Sequence, residues 1–252
     1  LSRRSSRKSV FNSKKEYTCS VYASNKGERV LDFSTTQDEW DGKWDKPVMY
    51  YKVIGECKTM SRKQIRRALN YAMTTWDIEI PIVFKPAWWW NKTPDITIDF
   101  KYKSKDKHFK DNPSVLAYAY FPEQGSYSGK VVFNNDYLWD YLGKGVKAQK
   151  ALDKGWVENV QYIEGSLKTY SIIAVLIHEL GHSLGLRHDV TGNTTGVDVM
   201  DAYYSGENRI ELSVRDISRI VAKYGARVYS RWNHYNRLKK AIAHGKKRLI
   251  IR

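Results

Sequence analysis

Tyr170-Ser171-Ile172-Ile173-Ala174-Val175-Leu176-Ile177 leads directly into His178-Glu179-Leu180-Gly181-His182-Ser183-Leu184-Gly185-Leu186-Arg187-His188, and these nineteen residues constrain everything around them. From Tyr170 to Leu184 apolar residues run nearly all the way round a helix, which predicts burial on most sides. Polar side chains inside such a run need a reason. Residues four apart on a helix differ by about 40° of rotation, so His178 and His182 project from one face and can aim their rings at a common point. His188, six residues further on, points away from that face unless the helix breaks and the chain turns back. Gly185 supplies the turn, because glycine tolerates the positive φ that ends many helices.

Three neutral imidazoles suit zinc and leave its fourth tetrahedral position to water, the arrangement of a catalytic site rather than a closed structural one. Glu179, beside the first ligand, is placed to take a proton from water that the metal acidifies to a pKa of about 7, and to pass it to a leaving amine. The pattern therefore predicts amide hydrolysis by activated water. The competing reading, a buried helix with a few satisfied core histidines, has to supply all five specified positions by chance. At ordinary residue frequencies that is about one in 10⁵ for a chain of this length.

The elongated H-E-x-x-H-x-x-G-x-x-H signature, followed by Met200 within Gly196-Val197-Asp198-Val199-Met200-Asp201, resembles the metzincin clan of zinc endopeptidases. Met200 matches the clan's Met-turn, a structural floor beneath the metal rather than a ligand. Further stretches resemble one branch, the matrixins: Trp44-Asp45-Lys46 ahead of Met49-Tyr50-Tyr51-Lys52-Val53, then Pro94 to Phe100, Val115-Leu116-Ala117-Tyr118-Ala119-Tyr120 before Pro122, and Leu212-Ser213-Val214-Arg215-Asp216-Ile217 through Gly225. The resemblance covers about 41–226. It implies an α+β metzincin (zincin-like) fold, with a twisted mixed β-sheet whose antiparallel edge strand borders the cleft, a backing helix, an active-site helix and a C-terminal helix. It also implies an endopeptidase with one catalytic zinc on His178, His182 and His188, Glu179 as general base and then acid, and a polypeptide substrate added along the edge strand.

Departures from the matrixin pattern carry their own expectations. Where the family places histidines for a second, structural zinc, this chain has Tyr118 and, in the partner strand, Val132; His108 alone cannot make that site. A structural zinc is not expected. Neither is calcium, since the acidic, glycine-rich loop is replaced around Lys110-Asp111-Asn112-Pro113. Tyr118 and Val132 are expected to fill the space by packing. Asp189 after the third histidine is the residue the reprolysins usually show. Asp201-Ala202-Tyr203-Tyr204 stands in place of the family's Tyr-Pro pair after the methionine, so Tyr203 and Tyr204 are candidates for the substrate-pocket wall, with local packing the alternative. Cys19 lacks the neighbours of the family's inhibitory propeptide cysteine, and pairing of Cys19 with Cys57 is open.

The remaining elements follow from local pattern. Val48 to Ile54 reads as a strand; Ser61 and Gln64 form a capping box ahead of Ile65, Ala68, Leu69, Ala72, Met73 and Trp76 at helical spacing, predicting a helix over about 61–77. Strands are predicted at 80–85, 96–101, 115–121 and 130–134, and a last helix runs from Ser213 to Gly225. Residues 1–40 read as a basic extension or pro-segment remnant, 41–226 as the metalloprotease domain and 227–252 as a basic amphipathic tail.

Of the formal net charge of +16, the tails hold almost all: residues 1–15 carry six basic side chains, 227–252 carry nine, neither carries an acid, and 16–226 is left at +1. The basic tails suit an acidic protein surface, nucleic acid or an anionic membrane, or simply solvent. No apolar stretch is long enough to predict a transmembrane segment. Trp88-Trp89-Trp90 is an anchor for a partner or a cover for a sheet edge, and Asn91 and Asn193 begin glycosylation sequons. The resemblance implies an extracellular or secreted setting, with virion association as the alternative. The rival from another class is a structural or attachment component that keeps the metalloprotease fold and binds partners through its tails.

Overall fold

The computed structural model describes residues 18–22, 42–87, 93–157, 166–189, 198–202, 204 and 210–228. Trp88 to Trp90, Asn91, Asn193, Tyr203 and the amphipathic tail beyond 228 lie outside the described residues. In chain order the elements are β1 (Thr18–Tyr22), β2 (Val48–Val53), α1 (Arg62–Asp77), β3 (Val83–Pro86), β4 (Ile96–Lys101), α2 (Lys107–Asp111), β5 (Val115–Tyr120), β6 (Lys130–Asn134), β7 (Trp139–Asp140), β8 (Val146–Lys147), α3 (Ala148–Asp153), β9 (Ser166–Leu167), β10 (Tyr170–Ser171), α4 (Ile172–Ser183) and α5 (Val214–Tyr224).

Six strands form one mixed sheet in the order β1-β5-β6-β4-β2-β3. β2 runs parallel to β3 and β4, and β4 parallel to β6, while β5 runs against β6. β5 is thus the antiparallel edge strand of the body from Gly42 onward. Beyond it lies β1, drawn from the segment read as a basic extension or pro-segment remnant. Its sequence, Thr-Cys-Ser-Val-Tyr, is too short and too mixed to announce itself by periodicity.

Local chemistry accounts for the helices. Ser61 and Gln64 close the expected capping box on α1, and Ile65, Ala68, Leu69, Ala72, Met73 and Trp76 are its buried residues, the stripe the spacing predicts. α4 is capped by the Ser171 hydroxyl, which accepts from the Ala174 N–H, and every one of its residues is buried. It packs against α1 on one side and against β5 and β6 of the sheet. The Trp76 indole is fully buried there and donates Nε1–H to the Ile177 carbonyl at 2.9 Å.

The C-terminal end of α4 would leave carbonyls without partners, and residues distant in sequence supply the donors. Trp44 Nε1–H donates to the Ser183 carbonyl at 2.7 Å, and the Tyr224 hydroxyl donates to that of Leu184 at 2.9 Å. Beyond α5 the chain is tied back to the end of α1, where Arg227 donates Nε–H to the Asp77 carbonyl at 2.6 Å and pairs with the Asp77 carboxylate at 2.9 Å. The first basic residue assigned to the tail therefore belongs to the folded body. Cys57 is a free thiol, 3.5 Å from the Thr59 hydroxyl. No helix among the described residues is long and apolar enough to cross a membrane.

Trp76 joins the two helices and has no exposed surface. Trp76→Ala is expected to lower the unfolding free energy by about 3–5 kcal/mol in chemical denaturation. Val214→Ala, at a side chain 86% exposed, is the control and should stay within about 0.5 kcal/mol of the parent.

Candidate metal centre

His178 and His182 each settle their own tautomer. His178 Nδ1 lies 2.7 Å from the Val199 carbonyl and His182 Nδ1 lies 2.6 Å from that of Leu186. A carbonyl only accepts, so in both rings Nδ1 carries the hydrogen and a neutral imidazole presents a lone pair at Nε2. Those lone pairs converge: His182 Nε2 is 2.9 Å and His188 Nε2 is 3.2 Å from His178 Nε2. Three ligand atoms lie within 4.8 Å of one another. A tetrahedral set with bonds of about 2.05 Å spaces its nitrogens about 3.3 Å apart, so only a small adjustment separates this cluster from a zinc site.

Burial, reinforced by the neighbouring imidazoles, holds the pKa of His182 and His188 well below the ordinary value. Both rings are therefore neutral at neutral pH, the form that ligates a metal. Glu179 is fully buried on the same helix, directly after His178.

The turn that returns His188 to this face is made as expected. Gly185 has φ +94°, its N–H bonds the His182 carbonyl at 2.7 Å, and the Leu186 N–H bonds the Gly181 carbonyl at 2.9 Å. These are the two bonds of a Schellman stop, which needs the left-handed residue at that place. Met200 is fully buried under α4, against Gly181: a Cβ at Gly181 would collide with its thioether sulfur and come within 3.0 Å of the Trp76 ring. Gly181 was not singled out by the sequence reading. A glycine in mid-helix, where it costs stability relative to alanine, was the available signal.

Asp216 closes a capping box with Ser213 at the start of α5, and it does more. Besides the Ser213 N–H at 3.1 Å, its carboxylate accepts from the Val199 N–H at 2.9 Å and the Met200 N–H at 3.4 Å. The Val199 peptide whose N–H it holds is the one whose carbonyl orients His178. Arg219 Nη2 donates to the Arg187 carbonyl at 2.9 Å, and Arg215 pairs with the Asp189 carboxylate. The Asp189 N–H in turn donates to the Met200 carbonyl at 2.9 Å. One face of α5 thus grips the peptide on both sides of His188 and the methionine turn.

Tyr204 places its ring against Tyr170, centroids 5.3 Å apart, and its hydroxyl accepts from the Ser171 N–H at 2.9 Å, at the N-terminal end of α4. Where the family's second zinc would be ligated, the Tyr118 hydroxyl donates to Asp106 at 2.9 Å, and Tyr118 stands opposite Val132 in the ladder. Phe109, Val115, Tyr118 and Val132 form a small buried cluster of their own, the packing anticipated for those positions.

Comparison with known proteins agrees with this geometry. Residues 43–225 match the family model described as Matrixin. Matrix metalloproteinase-26 of Homo sapiens is 27% identical over 190 residues, 75% of this chain and 62% of that protein. Matrilysin of Felis catus is 31% identical over 192 residues, again 75% of this chain and 62% of the relative. Matrix metalloproteinase-C of Caenorhabditis elegans is 30% identical over 195 residues, 73% of this chain but 29% of that protein. The chain thus spans about three fifths or less of the length of these relatives. With the family model matched over most of its length and the motif folded as the model requires, this chain belongs to the matrixin family.

Proposed function

We propose that this protein is a zinc-dependent endopeptidase in which His178, His182 and His188 hold one zinc ion and Glu179 moves the proton during hydrolysis of a peptide bond. One observation carries the reading: three imidazole nitrogens aim at a single point, two of them with their protons already committed elsewhere. Lone pairs converging at 2.9–3.2 Å repel unless a cation lies between them. Zinc supplies Lewis acidity there, making water a nucleophile at neutral pH and polarising an amide carbonyl. The Glu179 carboxylate takes the proton of the attacking water and delivers it to the departing amine nitrogen. His178 and His182 stay neutral throughout, because the Val199 and Leu186 carbonyls hold their Nδ1 protons. A polypeptide substrate and an extracellular setting accompany this reading.

A single ion per chain is the second part of the proposal. Support comes from Tyr118 and Val132, whose packing with Phe109 and Val115 occupies the region of the family's second zinc, and from the hydroxyl that engages Asp106. Asp216 acts as a positioning residue through the Val199 peptide, since loss of its grip frees the carbonyl that orients His178.

Atomic emission on the purified full chain is expected to give one equivalent of zinc, removal by a chelator to abolish cleavage of a fluorogenic peptide, and added calcium to leave the melting temperature unchanged. Glu179→Ala should keep the zinc and lose about 10²–10⁴-fold in kcat. Full activity in that variant would sink the assignment. Asp216→Asn is expected to weaken zinc about 10–100-fold in chelator competition, with the helical signal retained. Unchanged affinity would leave Asp216 as a helix cap alone.

A further inference from the structure

Lys101, Lys103, Lys105, Lys107 and Lys110 fall within ten residues of the connection from β4 to β5. The buried half of that connection fixes where they stand. The Asp106 carboxylate accepts from the N–H groups of His108 and Phe109 and from the Tyr118 hydroxyl, while Phe109, fully buried, packs with Val115, Tyr118 and Val132. Tyr118 and Val132 are a ladder pair on the outer face of the sheet, since their neighbours Ala117, Ala119, Val131 and Phe133 belong to the main core on the other side. Lys130 shares the outer face two residues before Val132. The ladders put it in one row with Thr97 and Lys52, so the backbones of the two lysines lie two strand spacings, about 10 Å, apart. Lys85 stands opposite Tyr50, two residues before Lys52, on the same face.

Aspartates engage some of the cations here: Asp95 pairs with Lys46, Asp99 and Asp106 with Lys101, and Asp111 with Lys107. Lys52, Lys85, Lys103, Lys105, Lys110 and Lys130 form no ion pair among the described residues, and all but Lys130 are exposed. Six uncompensated ammonium groups thus share one face of a body that sums to +1 over 16–226, so the excess is local and hidden in the average.

We propose that this outer face is an anchoring surface for a linear sulfated polysaccharide, which tethers the protein while the metal centre, carried by α4 on the other side of the sheet, stays open. The inference takes its extracellular setting from the endopeptidase reading above and is otherwise independent of it. Sulfate esters are permanently charged, and lysine meets them as a point charge that demands no bidentate geometry. Nucleic acid fits the face less well. A single strand needs free aromatic faces for its bases, whereas Tyr127 stacks on Tyr120 at 5.0 Å and holds the Lys130 ammonium 4.6 Å over its ring. A duplex is read by arginine forks or by an element that enters a groove, and a flat sheet face with lysines offers neither. A bilayer surface needs a continuous apolar stripe, and the exposed apolar side chains nearby, Ile54, Tyr102 and Tyr127, stand singly on separate pieces of chain.

Three forms of the full chain test this: the parent, the face variant Lys52→Gln/Lys103→Gln/Lys105→Gln/Lys110→Gln, and the tail control Arg3→Gln/Arg4→Gln/Arg7→Gln/Lys8→Gln, which removes the same charge from the N-terminal segment. The probe is a fluorescently labelled heparin oligosaccharide, with its desulfated counterpart, a short oligothymidylate and phosphatidylserine vesicles beside it. In the face variant the Kd for the heparin probe is expected to rise about tenfold or more, in the tail control about threefold at most, and in every form binding should weaken steeply with added salt. Melting temperature is expected to be the same in all three. Equal losses in the two variants would reduce the affinity to net charge and overturn the proposal, as would an unaltered Kd in the face variant. Undiminished binding of the desulfated probe would also overturn it, and so would a face-variant loss seen with oligothymidylate or vesicles but not with heparin. Removing zinc with a chelator should leave the heparin Kd unchanged; a shift would place the polymer at the metal centre and overturn the proposal. Failure of the parent to cleave peptide would sink the endopeptidase reading and leave this binding result standing.

Discussion

Two ring N–H groups, on Nδ1 of His178 and Nδ1 of His182, sit on a buried helix whose own carbonyls are engaged in its ladder. Their acceptors have to come from chain that follows the helix, and they do, from Leu186 and Val199. Satisfying these two donors in a low-dielectric interior is what fixes the rest, because an unpaired buried donor costs about 1–3 kcal/mol. The acceptor at Leu186 requires the chain to reverse at once, hence Gly185. The acceptor at Val199 requires the segment before Met200 to pass beneath α4, hence the missing Cβ at Gly181, whose place the thioether takes. With both protons fixed, both Nε2 lone pairs face the same point, and His188 arrives at that point by the same reversal.

α5 extends this logic outward. Its side chains at Arg215, Asp216 and Arg219 reach the irregular chain around the histidines: the Asp189 carboxylate, the peptides of Val199 and Met200, and the Arg187 carbonyl. Irregular backbone cannot hold its own geometry through a regular ladder, so a rigid element beside it has to do so. The same helix hands its last aromatic, Tyr224, to the Leu184 carbonyl. Ligand helix, reversal and methionine turn are therefore referenced to one face of α5 rather than to each other alone.

The parts legible in the sequence were those whose signal is local. The stripe from Ile65 to Trp76, the cap at Ser61, the strands from Ile96 and Lys130, and the spacing of His178, His182 and His188 each report a period or a fixed geometry within a few residues. Asp216 shows the limit of that kind of reading. Its capping role spans three residues and is a local matter, whereas its hold on the Val199 peptide depends on how α5 docks. Arg227 reads as one more charge in a basic tail and is in fact anchored on Asp77, 150 residues away in the chain. β1 had no signal at all, because a strand added at an edge is defined by the partner's unpaired backbone more than by its own side chains.

The side chains gathered around Tyr118 bear on that same edge. Asp106 accepts from the N–H groups of His108 and Phe109 at the start of α2, receives the Tyr118 hydroxyl from β5, and lies 3.8 Å from the Lys101 ammonium at the end of β4. Burial, with Asp106 adding to it, pushes the Tyr118 phenol far above its ordinary pKa, so it remains a donor throughout the physiological range. One carboxylate thus ties α2, β4 and β5 together, a task that a coordinated ion performs by charge and ligand geometry. A cross-link made of covalently attached groups cannot be removed by dilution, and it anchors the strand that packs against the histidine-bearing helix α4. The consequence is a β5 held to α2 and β4 by side chains of the protein itself.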